Sequence, residues 1–402
     1  MSTGEASRVP PEIDAQELWR RQEHLMDIAR SEGASALALF SARNIYYLTG
    51  FGFIPTERPV ALLLSGNDPP QLLVPQLEAE HAAEAAPNLR VHPYPEYPGL
   101  KHPMHVFADL VKASGAGSVA VDSDGYAGGW GYEGPRLSEL VGARVVRINA
   151  QITRVQQVKS PQEIACIAES CRWGDVAHHL LQAYTRVGAV ESDVSLRASH
   201  EATRRMLAAL GPEYARRSGR PLQVFAGYRG QVGQNSALPH ATMIHATFAP
   251  GQVLVTGAAG CVQGYRSELE RTMVVGTPSP EVKRYFAAML TVQELAISML
   301  RPGVACREVD AAVRGFFERE GLMPLWRHHT GHAIGLDGHE SPFLDTGDAT
   351  VITRGMVFTV EPGIYVRGLG GFRHSDTVEI TATGHRVLTD YPRDLEALVI
   401  PV

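Results

Sequence analysis

The sequence predicts two domains, a small α/β domain over residues 1–155 and an α+β domain over residues 156–402. Three observations carry this. In the first 150 or so residues, apolar runs of strand length alternate with helix-like stretches, as in an α/β layer. Near residue 160, Ser160-Pro161-Gln162-Glu163 reads as an N-cap, a proline at the first helical position and an acid at the third. That is a capping box, and it opens a new unit. Beyond it the texture changes to long helices interleaved with short β-rich segments, the pattern of antiparallel strands with helices on one face.

Taken in order, residues 1–13 are polar and Pro-containing, a loose arm. Asp14 caps a helix running to about Glu32, with Leu18, Leu25 and Ile28 on one stripe and Gly33 as its stop. Strands are expected at Ala36–Phe40, Val60–Ser65, Gln71–Pro75 and Ser118–Asp122, with helices at Leu77–Ala86 and Met104–Ser114 between them. Val91–Pro103 is expected to be a surface loop. In the second domain, helices are expected from Pro161 to about Val187, from Ser192 to about Leu210, and over Pro280–Leu300 and Cys306–Glu320. Strands are expected at Gln223–Phe225, Thr242–His245, Gln252–Ala258, Glu270–Val275, Val357–Val360, Ile364–Arg367 and Asp376–Thr381.

Composition narrows the function classes. A net charge of −6 over 402 residues argues against nucleic acid and anionic membranes as partners. No apolar run approaches the length of a membrane span, and the N-terminus has no apolar core of a secretory signal. Cys166, Cys171, Cys261 and Cys306 form no CxxC pair and read as reduced core thiols of a cytoplasmic protein.

The chemistry gathers in four segments: Asn235–His240, Gly264–Thr272, His328–Glu340, and Val360–Tyr365 followed by Gly371–Asp376. Alternation along a strand sends Glu268 and Glu270 to one face, where two like charges either meet solvent or await a cation. Four histidines within twelve residues (His328, His329, His332, His339), interspersed with glycines, place groups that titrate near neutrality on closely approached backbone. The loops Tyr214–Arg220 and Gly227–Gln234 are expected to shape the pocket.

At these residues a resemblance emerges. Thr330–Gly335, His339-Glu340 with Pro342, and Gly355–Tyr365 resemble the prolidase and Xaa-Pro aminopeptidase signature of the creatinase/prolidase/methionine aminopeptidase superfamily. Arg154, Lys159, Ser160, Pro161 and Glu163 resemble its linker, and Asn44–Phe51 its N-terminal hallmark. The resemblance implies a Ribonuclease-H-like first domain, a pita-bread second domain and a homodimer. It also implies a site for two divalent ions held by two Asp, one His and two Glu, a donor set suited to Mn, Zn or Co. On this chain those positions fall at Gly257, Glu268, His332, Glu361 and Ser375. Two of the five are kept, one is a longer carboxylate, and two are lost.

Where it departs from prolidase, the chain resembles creatinase, which works without metal. Leu269–Thr272 resembles the creatinase segment whose Glu binds a substrate guanidinium. Arg58 matches an Arg that reaches a neighbouring subunit to hold a substrate carboxylate, and Arg373-His374 stands near a late creatinase His. The expectation is therefore a cytoplasmic, homodimeric, metal-independent hydrolase cleaving a C–N bond of a small cationic, carboxylate-bearing substrate. In it His240 acts as acid and base, Glu270 and Glu361 as an anionic clamp, and His332 and His339 as polar supports. Glu268, Arg58, Arg373 and His374 would bind substrate. Two alternatives stand beside it. One is a divergent Xaa-Pro dipeptidase acting on dipeptide-like substrates with one ion, Mn or Zn, on Glu268, His332 and Glu361. The other is an inactive peptide-binding member of the fold.

Overall fold

The structure, a computed structural model, describes residues 10–66 and 68–402, so the expected N-terminal arm lies, for residues 1–9, outside the described residues. Two compact units are present. One comprises Ile13–Gln156 with Arg216–Arg220, the other Gln157–Ala215 and Pro221–Val402 with residues 10–12.

The first unit is built on six strands: β1 (Ala36–Leu39), β2 (Ala61–Ser65), β3 (Gln71–Pro75), β4 (Arg90–Tyr94), β5 (Ser118–Val121) and β6 (Arg144–Arg147), in the order β4-β3-β2-β1-β5-β6. β1, β2 and β3 are antiparallel neighbours, while β4, β5 and β6 join in parallel. This is the expected Ribonuclease-H-like layout. Asp14 caps the helix Ala15–Ser31, accepting from the Glu17 amide at 2.8 Å, and Gly33 turns the chain away at φ 78°. The hallmark segment forms a helix, Ala42–Thr49. Its Asn44 amide donates to Asp122 at 2.9 Å and its carbonyl accepts from Gln156 at 3.0 Å, so a single side chain ties three parts of the unit. Part of the expected loop Val91–Pro103 is instead β4; Pro93 is tolerated because β4 is the sheet edge, where no further ladder needs its missing N–H.

The second unit places the helices Pro161–Tyr184, Glu191–Leu210, Pro280–Met299 and Cys306–Arg319 around several small sheets. Its strands are β7 (Gln223–Gly227), β8 (Val253–Val255), β9 (Gly257–Val262), β10 (Tyr265–Arg266), β11 (Thr272–Val275), β12 (Gly331–Ala333), β13 (Glu340–Leu344), β14 (Val357–Val360), β15 (Gly363–Val366), β16 (Gly370–Arg373), β17 (Asp376–Ile380), β18 (His385–Val387) and β19 (Val399–Ile400). They assemble as β10-β9-β7, β19-β11-β8 and β13-β12-β14-β17-β18, with β15-β16 a separate hairpin. The capping box forms: Ser160 accepts from the Glu163 amide at 3.3 Å and Glu163 accepts from the Ser160 amide at 2.9 Å. One apolar core runs through the unit, joining Trp173, Leu181 and Met206 to Met289, Phe317, Phe358 and Phe372.

Two strand expectations are corrected. Gln252–Ala258 breaks at Thr256, because β8 pairs with β11 whereas β9 pairs with β7. Thr242–His245 makes no ladder; the Glu191 carboxylate takes the Ile244 amide at 2.8 Å in place of a neighbouring strand. All four cysteines are buried, and none forms a disulfide. Among the described residues no helix is long and apolar enough to cross a membrane.

Candidate active site

The site starts from backbone packing. β12 lies so close to β14 that a Cβ on Gly331 would sit 2.1 Å from the Thr359 carbonyl oxygen, so only glycine fits there. Immediately after it the β12–β13 register shifts between His332 and Ala333. Such a bulge re-aims the side chain it carries. The His332 ring is fully buried, and its Nδ1 lies 3.0 Å from the Ala333 carbonyl oxygen. A carbonyl can only accept, so Nδ1 carries the hydrogen. Nε2 faces Glu361 Oε1 at 3.3 Å but makes no well-aligned hydrogen bond. The exposed His339 ring stacks on His332 with centroids 3.7 Å apart.

Glu268 and Glu361 approach this imidazole, and Glu270 joins the two carboxylates. Glu270 and Ser375 exchange backbone hydrogen bonds of 3.0 Å, which brings Glu268 and Glu270 alongside the chain between β16 and β17. Glu361 follows β14, its amide donating to the Thr330 carbonyl at 2.8 Å. Oxygens of Glu268, Glu270 and Glu361 lie within 4.8 Å of one another, and Glu268, His332 and His339 form a second such group. The Ser375 hydroxyl donates to Glu268 at 2.8 Å.

Proximity sets the charges. Burial, then the charges of Glu361 and Glu270, push the Glu268 pKa up to about 7. Burial would raise Glu361 too, but His332 and Arg373 outweigh it and hold it at about 2. His332 is the counterpart: burial works against its charge, yet Glu361 and Glu268 lift it to about 9. Of Glu268 and Glu361, Glu268 is the less compensated by positive charge.

On the Glu270 side the compensation comes from the chain itself. Arg373 grips Glu270 with both arms, Nη2 to Oε1 at 2.8 Å and Nε to Oε2. Arg229 adds a second guanidinium on Oε1. From Arg373 Nη1 a directed relay runs outward. Arg373 donates to the Tyr365 hydroxyl at 2.9 Å, Tyr365 donates to His328 Nε2 at 2.7 Å, and His328 Nδ1 donates to the His329 carbonyl at 2.9 Å.

The sequence-predicted residues divide accordingly. Glu268, Glu270, His332, His339 and Glu361 are brought together. His240 is exposed on the turn after Gly233–Ala237. It lies near enough to His339 to join burial, His332 and His329 in lowering that ring's pKa. Arg373 reaches the cluster, but its guanidinium is committed to Glu270 and Tyr365 and is not free for a substrate. His374, one residue on, takes the opposite face of the extended chain. It is buried edge-on to Phe286 with neither ring nitrogen hydrogen-bonded, apart from the carboxylates. Arg58 belongs to the first unit and is paired with Glu57 and, at 3.0 Å, with Glu96. Sequence reasoning missed Arg229, which carried no signal beyond its place in the Gly227–Gln234 loop, and Tyr365, which was visible only as part of the signature.

The donors suit one divalent ion and not two. The buried His332 Nε2, which makes no well-aligned hydrogen bond and faces Glu361 at 3.3 Å, forms with Glu361 and the neighbouring Glu268 a ligand set of suitable size and chemistry. For a second ion, Gly257 offers no side chain, Ser375 has already given its hydroxyl to Glu268, and the Arg229 guanidinium stands 3.5 Å from where a Gly257 Cβ would be.

Residues 165–382 match the metallopeptidase family M24, and residues 21–134 match the creatinase/prolidase N-terminal domain. The chain is 27% identical over 374 residues to an Xaa-Pro dipeptidase of Pyrococcus horikoshii, covering 92% of this chain and 97% of that one. It is also 27% identical over 369 residues to an Xaa-Pro dipeptidase of Lactobacillus helveticus, covering 89% and 93%. The solved dipeptidase PepE of Mycobacterium ulcerans superposes with a TM-score of 0.78 at 26% identity, over 97% of this chain and 99% of that chain. Fold and likeness define a two-domain hydrolase of peptidase type, acting on C–N bonds, with a pita-bread second domain. The chain belongs to the metallopeptidase family M24. The expected metal-independent, creatinase-like chemistry is not supported, and the metal-dependent alternative fits better, on two grounds. These likenesses run to metallopeptidases and dipeptidases. And Glu270, the expected receptor for a substrate guanidinium, already holds two guanidiniums of the protein.

Proposed function

We propose that the chain is a divergent Xaa-Pro dipeptidase in which Glu268, His332 and Glu361 hold a single divalent ion, Mn or Zn. The observation that carries this is the buried His332 Nε2, which makes no well-aligned hydrogen bond, faces Glu361 at 3.3 Å, and belongs to a ring grouped with Glu268. The ion, when bound, supplies Lewis-acid polarisation of the scissile carbonyl and a more acidic water. The chain's own groups do the rest. The Ala333 carbonyl fixes the His332 tautomer and leaves Nε2 as a ligand. The Ser375 hydroxyl orients Glu268. His240, at the exposed edge beside His339, returns a proton to the departing nitrogen. A dipeptide-like substrate and a cytoplasmic homodimer accompany this reading as expectations from the family.

The test is hydrolysis of Ala-Pro and Gly-Pro before and after chelation. Loss of turnover on chelation, restored by Mn²⁺ or Zn²⁺, supports the reading. Unchanged kcat after complete removal of metal returns the site to metal-independent chemistry.

A further inference from the structure

Glu270 is buried, yet it meets two guanidiniums of very different character. Arg373 is buried with it and makes a two-armed pair. Arg229 comes from a loop, with its side chain 43% exposed. Its backbone sits at φ 52°, a left-handed conformation that costs an ordinary residue about 1–2 kcal/mol. Backbone held this way at a cluster of ionisable groups points to a functional demand.

That demand is visible in where the guanidinium lies. All three atoms nearest to a Cβ built on Gly257 belong to the Arg229 guanidinium, at 3.5–3.7 Å, beside the Glu268, Glu270 and Glu361 oxygens. Two guanidiniums together carry the charge of one divalent ion. They bring it to the Glu270 side of the cluster, while His332 Nε2 stands beside Glu361 on the other.

We infer that Arg229, braced on Glu270 with Arg373, is a resident cation occupying the place of a second metal ion, which limits the site to one. This makes Arg229 a positioning residue: it fixes Glu270 and touches no reacting atom. The inference deepens the proposed single-ion hydrolase and rests on that reading for the ion on Glu268, His332 and Glu361, but its test is separable. Gly257 has room for a side chain, since its would-be Cβ makes only ordinary contacts and its φ is not left-handed. R229G removes the guanidinium with a residue suited to the backbone, and G257D supplies a carboxylate where the guanidinium stood.

The full chain and its variants are equilibrated with excess Mn²⁺, desalted, and their bound metal is counted by mass spectrometry. R229G/G257D is expected to hold one ion per chain more than the unaltered protein, whereas G257D alone and R229K/G257D, which keep the cation, gain none. No gain in R229G/G257D, or a gain in G257D alone, overturns the inference. The count in the unaltered protein tests the proposed function instead: a value of zero there sinks the metal reading while the increment still decides the role of Arg229. If R229G/G257D does not fold, R229G alone is titrated with Co²⁺ and followed by its absorption. A second, weaker saturation absent from the unaltered protein supports the inference, and a single saturation overturns it.

Discussion

Asp175 offers a prediction whose size can be worked through. It lies buried on the helix Pro161–Tyr184, with one oxygen accepting from the Asp390 amide at 3.0 Å and the other without a partner. Burial raises its pKa from 3.8 to about 7, against the pull of the Asp390 amide and Arg271. A folded-state pKa above the unfolded value means that the native protein binds the extra proton. The contribution to stability is therefore full below pH 4 and lost as pH rises through 7. Between pH 5 and pH 8 the loss is about 2.6 kcal/mol, and at ~2–4 °C per kcal/mol this amounts to roughly 5–10 °C in Tm. Asp175→Asn keeps an oxygen for the Asp390 amide and cannot ionise. Melting curves of both proteins from pH 5 to pH 8 isolate Asp175 in their difference, because the other groups titrate in both. The variant should gain on the unaltered protein as pH rises, by that amount. Tm curves that run parallel across the range would mean that Asp175 is not held protonated by burial.

Other outcomes follow from single contacts. Lys159 and Glu340 form a buried pair at 2.9 Å, so Lys159→Met strands a carboxylate and should cost about 3–5 kcal/mol by denaturant unfolding, much of it recovered in K159M/E340Q. Gly331→Ala drives a methyl into the Thr359 carbonyl and should lower stability by about 1–3 kcal/mol or more, with metal affinity falling alongside because His332 is displaced. His240→Ala should reduce kcat by about 10²–10⁴ while circular dichroism and metal content stay unchanged. An unaltered kcat removes His240 from the reaction.

Much of this architecture is legible in the sequence because local chemistry agrees with the fold. Asp14, the Ser160–Glu163 box and the β-branched and leucine-rich runs fix element ends without help from distant contacts. Where tertiary context decides, the reading fails. Val91–Pro103 hides an edge strand because a proline is harmless only once the edge is known. Thr242–His245 has strand-like composition, but its Ile244 amide goes to Glu191, more than fifty residues away.

The site divides in the same way. Strand alternation brings Glu268 and Glu270 to a common point, and the His332 signature marks its own place. The side of the chain on which His374 falls depends on the register joining β16 to β17, and one residue separates the relay-bearing Arg373 from a histidine buried against Phe286. Arg229 was invisible for a simpler reason. An arginine in an irregular loop carries no periodicity, and its meaning comes only from the empty space that Gly257 leaves.

The measurement that bears most directly on the central claim is metal content per chain, taken together with Ala-Pro hydrolysis, as protein purified without chelator is stripped and reloaded. About one tightly held ion per chain is expected, lost in step with activity and restored in step with it by Mn²⁺ or Zn²⁺. Two ions per chain, or full hydrolysis with none, would contradict that claim.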